Sequence, residues 1–498
     1  MAAEHILALD AGTSGARCLI LRPGAGTVAV ARQEWCYQTP SEIAPFGRTF
    51  DPAAFWSVLC GLAKRALADA GLSGADIAAV GVTSQRQGLV IIDAEGRPLY
   101  AGPNIDARAI AEGFAIDGRL AERVYASTGK LPSVIMAPAR VQWLRAHHED
   151  DFKRAASLLT MGDWLAYRLT GVARAERSLA GACGLLNITT CERDDELLAE
   201  LEVPPDLLPP LVSPLDVVGQ VTSAAALEVG LAPGTPVAIA GSDTQCGLAG
   251  MGVGEPGEAG IVSGWSAPLQ QVTSEPVIDS ARRTWSGVHV LPDRWVLESS
   301  AADAGNMWQW WCETLLGGEE AAVEQGAALA AEASPGAGNA LALLGPGVMN
   351  AGVMGVHLGG VLFTTPAGFG AVGRPELLRA ALENVAYALR ANHEQAAEVV
   401  GRRAERVALG GGFIRMPLFA QILADTLGQP VEVAQEPDVT ARGAALLAAR
   451  AAGLPDDSLV TPTERVEPDA ATMETYDSQY KRWRQLGEAL DRVRSELS

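Results

Sequence analysis

The stretch LALDAGTSGARCLIL, Leu7 to Leu21, joins two apolar runs through a turn that carries an acid, glycines and hydroxyls. Each run predicts a short buried strand, because apolar runs of this length bounded by turn residues are typical of buried strands. The polar middle offers backbone N–H groups and hydroxyls, which can hold the charge of an oligophosphate. A hairpin turn whose acid accepts bonds from its own loop is the alternative. The spacing matches neither the P-loop nor the Gly-x-Gly-x-x-Gly pattern.

Length and charge set the broad class of protein. The 498 residues are too many for one ordinary core and predict two domains. With 38 basic and 59 acidic side chains the formal net charge is −21, which argues against a nucleic-acid or anionic-membrane surface. We therefore expect no nucleic-acid partner and no membrane partner, and leave a homodimer open.

The cysteines and the amino terminus indicate the compartment. Seven scattered cysteines, an odd number, are typical of reduced thiols in the cytoplasm. No apolar run reaches the length of a signal peptide or of a membrane span. The six histidines show no zinc-ligand spacing. We expect a cytoplasmic protein.

Strand-like and helix-like stretches alternate in the first half. The opening hairpin is followed by a predicted helix at Pro52–Ala70, a strand at Ala78–Asp93 and a helix at Gly162–Gly171 that stops at its glycine. This order predicts an α/β domain with a mixed sheet. Prolines between Pro204 and Pro214 indicate a loop-rich approach to a domain junction.

The second half repeats the opening pattern. Pro233–Gly254 combines a buried strand with Asp243, neighbouring hydroxyls and a helix of small residues, and Ala259–Val272 adds a strand with a polar turn. Strand–acid–hydroxyl–glycine turns in both halves indicate a duplicated fold facing one cleft. In its local context Asp243 suits a carboxylate aimed into that cleft, or a cap of the helix that follows.

A glycine-rich connection follows a long helix near the end of the chain. Arg374–Glu394 predicts an amphipathic helix with Pro375 near its first turn. In Val407–Val431 a strand ends in three glycines and a helix follows. The glycines allow a flat ligand such as adenine to approach the backbone, or simply a tight strand–helix connection.

These stretches, in this order, resemble the FGGY family of carbohydrate kinases. The matching motifs are DAGTSGAR from Asp10, GSDTQCGLAG from Gly241, GGGFIRMPLFAQILADTLGQPV from Gly410 and TARGAALLAA from Thr440. The resemblance implies an α/β, actin-like ATPase (ribonuclease H-like) fold of two duplicated domains around a central cleft. It implies a sugar-binding domain over residues 1–240 and a nucleotide-binding domain over residues 241–498.

The same resemblance assigns ATP and Mg²⁺ as cofactors and places residues around them. The residues implied to contact ATP are Gly12, Thr13, Ser14, Arg17, Gly264, Ser266, Gly410, Gly411 and Gly412. Asp10 and Asp243 are implied to hold the metal shell. Trp265 stands where a threonine is usual in the second phosphate loop, so only its neighbours are proposed as contacts there.

Asp243 is also the catalytic base that the resemblance implies. SQRQG resembles a substrate-gripping segment of glycerol kinases, and PNIDARA from Pro103 resembles segments of xylulokinases and, more closely, autoinducer-2 kinases. The implied substrate contacts are Arg86, Gln87, Asp106 and Thr244.

The implied reaction is ATP-dependent phosphorylation of a terminal hydroxyl of a small neutral sugar, and a ketopentose such as xylulose is the first expectation. Autoinducer-2, a polyol or glycerol is the alternative acceptor. A conformational ATPase or a sugar sensor of the same fold is the alternative of another class. The apparent hydroxyl-binding groups in SQRQG and PNIDARA disfavour the ATPase, and retention of Asp10 and Asp243 disfavours the sensor.

Overall fold

A computed structural model describes residues 3–318, 321–353, 357–365, 370–456 and 458–497. Its strands are β1 His5–Ala11, β2 Gly15–Arg22, β3 Gly26–Glu34, β4 Ile77–Ser84, β5 Leu89–Asp93, β6 Pro98–Gly102, β7 Ala155–Thr160, β8 Ala175–Glu176, β9 Leu211–Val212, β10 Val217–Gln220, β11 Pro236–Ser242, β12 Glu258–Ser263, β13 Pro268–Thr273, β14 Trp285–Val288, β15 Trp295–Ser300, β16 Leu341–Leu343, β17 Gly360–Leu362, β18 Arg406–Gly411, β19 Val431–Ala434 and β20 Thr463–Val466. Its α-helices are α1 Pro52–Ala70, α2 Ile110–Thr128, α3 Ala137–His147, α4 Glu149–Arg154, α5 Met161–Thr170, α6 Arg177–Ala182, α7 Asp195–Glu200, α8 Ser223–Val229, α9 Asp243–Gly250, α10 Ala304–Leu316, α11 Ala322–Ala330, α12 Arg374–Val400, α13 Pro417–Leu427, α14 Val439–Ala451 and α15 Ala470–Leu497.

The opening hairpin forms the middle of a mixed sheet ordered β10-β11-β4-β1-β2-β3. Strand β1 pairs antiparallel with β2 and parallel with β4, and β4 pairs parallel with β11. Alternate β1 side chains enter different cores: Leu7 and Leu9 pack with α1 and α5, whereas Ile6 and Ala8 pack with α9 and α14. Because helices cover both faces, the strand is apolar at consecutive positions.

Local sequence signals define several elements well. Helix α1 has the predicted bounds, with Asp51 accepting the N–H of Ala53 at its start and Gly71 in the left-handed conformation at its end. Gly171 ends α5 in the same way. The single strand predicted at Ala78–Asp93 is wrong: the chain forms β4 and β5, separated by a turn in which Gln87 has φ +59°.

A second sheet contains β13-β12-β18-β19-β20 in that order. Strands β12 and β13 form an antiparallel hairpin, and β12 pairs parallel with β18. The predicted helix at Arg374–Glu394 is confirmed and extends to Val400, packing against α11, α13 and α15. The hairpin and its parallel partner repeat the β1-β2-β4 arrangement of the first sheet.

The chain divides into two compact units. The first comprises Met1–Gly254, Val272–Val296 and Asp438–Thr461, and the second comprises Glu255–Gln271, Leu297–Pro437 and Pro462–Ser498. Residue 240, the end of the domain predicted from the sequence, lies within β11. Among the described residues, no helix is both long and apolar enough to cross a membrane.

Candidate active site

Parallel strands bring the predicted motifs of the first unit to one sheet edge. Asp10 on β1 lies opposite Thr83 on β4, and Ser84 lies opposite Ser242 on β11. The turn after Asp10, the SQRQG segment and Asp243 therefore follow neighbouring strands in register. This is the edge of an α/β sheet at which ligands bind.

The first polar turn is held by its backbone. Gly12 N donates to Gly15 O at 2.9 Å, and Trp35 donates from its backbone N to Ser14 O and from Nε1 to Thr13 O, at 3.1 and 3.2 Å. A Cβ at Gly15 would lie 2.6 Å from Gln33 O, so a larger residue does not fit there. The turn is shaped before any ligand arrives.

Asp10 is a buried carboxylate with one open oxygen. Its Oδ1 has no hydrogen-bond partner among the described residues, and its Oδ2 lies 3.4 Å from Arg17 Nε. Burial raises the pKa of Asp10 to about 7, Arg17 opposes this rise, and the negative charges of Asp243 and Asp438 add to it. A cation at this position would relieve the cost of ionising the buried carboxyl.

Arg17 joins Asp10 to a residue far along the chain. Its Nη1 lies 3.5 Å from Asp438 Oδ1, and Arg32 forms a second ion pair with the same carboxylate. The guanidinium of Arg17 is thus engaged with carboxylates of its own unit. Asp438, which precedes α14, was missed from the sequence because it lies more than 400 residues from its partners.

Asp243 is the first residue of α9. Its Oδ1 accepts the N–H of the next residue, Thr244, at 2.8 Å, whereas the N-cap position of α9 is Ser242, whose side chain makes no capping bond. The Thr244 hydroxyl donates to Gln245 Oε1 at 2.9 Å, which also accepts from Ser242. The backbone bond from Thr244 places the Asp243 carboxylate next to this short polar cluster.

Glycines seat α9 close to α14 and the sheet. A Cβ at Gly443 would lie 1.8 Å from Cys246 O, one at Gly250 would lie 2.1 Å from Val439 O, and one at Gly81 would lie 2.3 Å from Ala444 O. At each contact only hydrogen fits between backbones. This packing fixes the helix that begins with Asp243.

Two cations lie against one indole near the predicted substrate segment. The guanidinium carbon of Arg86 is 5.7 Å and Lys130 Nζ is 5.0 Å from the ring centre of Trp285. A Cβ at Gly287 would lie 3.5 Å from Lys130 Nζ and 3.8 Å from Gln245 Nε2. Lys130 therefore lies near the start of α9. It was missed because nothing in its local sequence indicates this contact.

Gln87 and Asp106 are both buried, with protein partners. Gln87 Nε2 donates to Ala182 O at 3.0 Å. The carboxylate of Asp106 accepts from Tyr100, from the backbone of Arg48 at 2.9 Å and from both the backbone and side chain of Arg108. Asp106 thus holds its loop in place.

The predicted nucleotide residues of the second unit also meet at one sheet edge. Ser263 and Gly411 are register partners on β12 and β18, and Ser263 Oγ donates to Gly410 O at 2.6 Å. A Cβ at Gly411 would lie 2.0 Å from Ser263 O, and Gly412 begins a 3-10 turn.

Gly264 and Ser266 form the tight β12–β13 turn, with Gly264 N donating to Ser266 O at 2.8 Å. Trp265 between them is 41% exposed.

The donor set fits Mg²⁺ better than a metal held only by protein. The described residues contain no group of three or more His, Cys, Asp or Glu side chains that could bind a metal. Mg²⁺ is commonly bound by one or two carboxylates together with phosphates and water. Asp10, with its unpartnered Oδ1, and the neighbouring Asp243 match that requirement.

Comparison with known proteins identifies the family. The models of the N-terminal and C-terminal domains of the FGGY family of carbohydrate kinases match residues 5–250 and 260–452. The chain belongs to the FGGY family of carbohydrate kinases. It is therefore a carbohydrate kinase, an enzyme that transfers a phosphoryl group to a small sugar.

Relatives and solved structures agree with this assignment. The chain is 30% identical to an autoinducer-2 kinase of Enterobacter sp. strain 638, covering 96% of this chain and 93% of that protein. It is similar to the xylulose kinase of Rhodospirillum rubrum, with 25% identity, a TM-score of 0.84 and coverage of 98% and 99%. The glycerol kinase of Plasmodium falciparum with ADP shares the fold at 19% identity, a TM-score of 0.83 and coverage of 97% and 98%. The predicted actin-like ATPase fold is confirmed.

Proposed function

We propose that this FGGY kinase phosphorylates a terminal hydroxyl of a small, neutral, linear polyhydroxy compound, with xylulose as the first candidate. The observation that carries the proposal is the pair of acids, Asp10 and Asp243, at the ends of strands in one sheet. Phosphoryl transfer consists mostly of positioning and charge neutralisation, and one carboxylate accepts the proton of the hydroxyl.

In this proposal Asp243 is the base, and its bond from Thr244 N aims it. Bound Mg²⁺, held by Asp10 with Asp243, would neutralise charge on the phosphates. In the first unit, the turn from Gly12 to Ser14 would supply N–H groups and hydroxyls to phosphates. In the second unit, the proposed nucleotide contacts are Gly264, Ser266 and the glycines Gly410–Gly412. The sugar-binding role is proposed for the first unit, whose turn Gly12–Ser14 would also bind phosphates, and the nucleotide-binding role for the second.

The proposed contacts to the acceptor are Arg86, Gln87 and Thr244, with Asp106 acting through the loop that it holds. Autoinducer-2 is the second candidate, because the curated relative aligned over 96% of the chain is an autoinducer-2 kinase. The cations Arg86 and Lys130 beside Trp285 would favour an acidic sugar over a neutral one, which is the outcome that would contradict this proposal.

A coupled ADP-release assay with xylulose, autoinducer-2, glycerol and gluconate tests the proposal. We expect the highest kcat/KM with xylulose, and ATP consumption without sugar at a small fraction of that rate. Preference for autoinducer-2 would replace the first candidate with the second. Turnover with gluconate alone would contradict a neutral acceptor.

A further inference from the structure

Asn104 lies between the first polar turn and the loop held by Asp106. Its Nδ2 donates to Thr13 Oγ1 at 2.8 Å, and its backbone N donates to Gln85 Oε1 at 2.9 Å. Gln85 is fully buried, and its Nε2 lies 3.2 Å from Gly12 O. Two amide side chains thus connect the phosphate turn to the PNIDARA segment.

The other end of the Asn104 amide is open. Its Oδ1 is buried and has no hydrogen-bond partner among the described residues. A buried amide oxygen without a partner costs free energy that a ligand hydroxyl could recover. The neighbouring Asp106 offers no comparable opening, because four protein hydrogen bonds already reach its carboxylate.

We propose that Asn104 is a specificity-determining residue whose Oδ1 accepts a hydrogen bond from one hydroxyl of the sugar. Through Nδ2 and Thr13, Asn104 would couple binding of the sugar to the phosphate turn. The inference rests on the proposed function and deepens it. A hydrogen bond from the sugar hydroxyl to Oδ1 fixes the plane of the Asn104 amide. It therefore also fixes the direction in which Nδ2–H donates to Thr13. Because this turn is the proposed phosphate cradle, a bound acceptor orders the group that must hold the phosphates.

The first test uses Asn104→Ala with the panel sugar that wild-type enzyme phosphorylates best and with its monodeoxy analogues. We expect the KM for the sugar to rise about 10-fold, as for loss of one neutral hydrogen bond. One deoxy analogue lacks the hydroxyl that donates to Oδ1. Its KM should exceed that of the parent sugar in wild-type enzyme, and this difference should disappear in the variant. Asn187→Ala is the matched control, since its amide oxygen accepts the backbone N–H groups of Thr189 and Thr190 in a local turn.

The second test is a double-mutant cycle with Thr13→Val, which removes the hydroxyl and keeps the side-chain shape. We expect Asn104→Ala to raise the sugar KM much less in the Thr13→Val background, and Thr13→Ser to restore the full effect. Thermal melting identifies any variant that is not folded, and calorimetric titration of sugar without ATP measures binding directly. Independent effects of the two substitutions, or an unchanged penalty for every deoxy analogue, would overturn the inference. Failure of the proposed function is distinct, because it would be seen in wild-type enzyme.

Discussion

Asp243 has one oxygen bound to the backbone N–H of Thr244, which restrains its carboxylate at the start of α9. We predict that Asp243→Asn lowers kcat by about 10²–10⁴-fold, the usual cost of losing a general base. Steady-state kinetics at saturating sugar, ATP and Mg²⁺ measures this loss. Asp216→Asn, the same change in an exposed turn, is the control and should retain wild-type rates. Near-wild-type kcat in Asp243→Asn would assign the base elsewhere.

Asp10 and Arg17 make a prediction about pH. The pKa of Asp10 is raised to about 7 chiefly by burial, so the carboxyl is protonated at lower pH and binds Mg²⁺ only after losing its proton. The Mg²⁺ concentration needed for half-maximal rate should therefore rise as pH falls below about 7.

Arg17→Gln removes the charge that opposes this shift, so the acid limb of the Mg²⁺ profile should move to higher pH. Thermal stabilisation by Mg²⁺ with ADP, compared at pH 6 and pH 8, gives a readout independent of turnover. A profile identical to that of wild type would show that Arg17 does not control Asp10. Arg22→Gln, at an exposed ion pair with Glu4, is the matched control.

At the scale of elements, the close approach of α9 and α14 depends on hydrogen at Gly443. We predict that Gly443→Ala, whose Cβ meets Cys246 O, destabilises the protein by about 1–3 kcal/mol and lowers kcat by displacing Asp243. Urea unfolding and kinetics measure the two effects. In α2, Gly118 has open space around a Cβ, and Gly118→Ala should stabilise by about 0.5–1 kcal/mol. Equal effects of the two substitutions would contradict the packing argument.

Elements with local signals could be predicted from the sequence, and contacts between distant segments could not. An N-cap aspartate, an early proline and a terminal glycine define α1 within its own residues. The break between β4 and β5 was hidden because the apolar run resumes after a short polar interval. The same limit applies to the site. The glycine turns and Asp243 lie in recognisable motifs, whereas the contacts of Asn104, Lys130 and Asp438 are with distant residues and could not be predicted from local sequence.

At the scale of the whole molecule, burial of the thiols gives a simple test. Cys36 is exposed and Cys191 partly buried, whereas the buried thiols are Cys18, Cys60, Cys183, Cys246 and Cys312. Burial raises the pKa of Cys60 to about 11 and that of Cys183 to about 12, so these thiols remain protonated and unreactive. We predict that a thiol reagent labels Cys36 rapidly and Cys191 slowly, and the others only after denaturation. Rapid labelling of a buried thiol in the native enzyme would contradict the burial.

The first unit is assembled from chain segments that are far apart, and its last segment ends at Thr461. During synthesis on the ribosome, the sheet face of Ile6 and Ala8 is made early, but helix α14, which covers it, emerges only after residue 438. At about 5–20 residues per second, the interval from residue 254 to residue 438 lasts about 10–40 s. For that time this apolar face lacks the part of its native cover that α14 supplies, so a chaperone that shields β-sheet faces has a defined window in which to act.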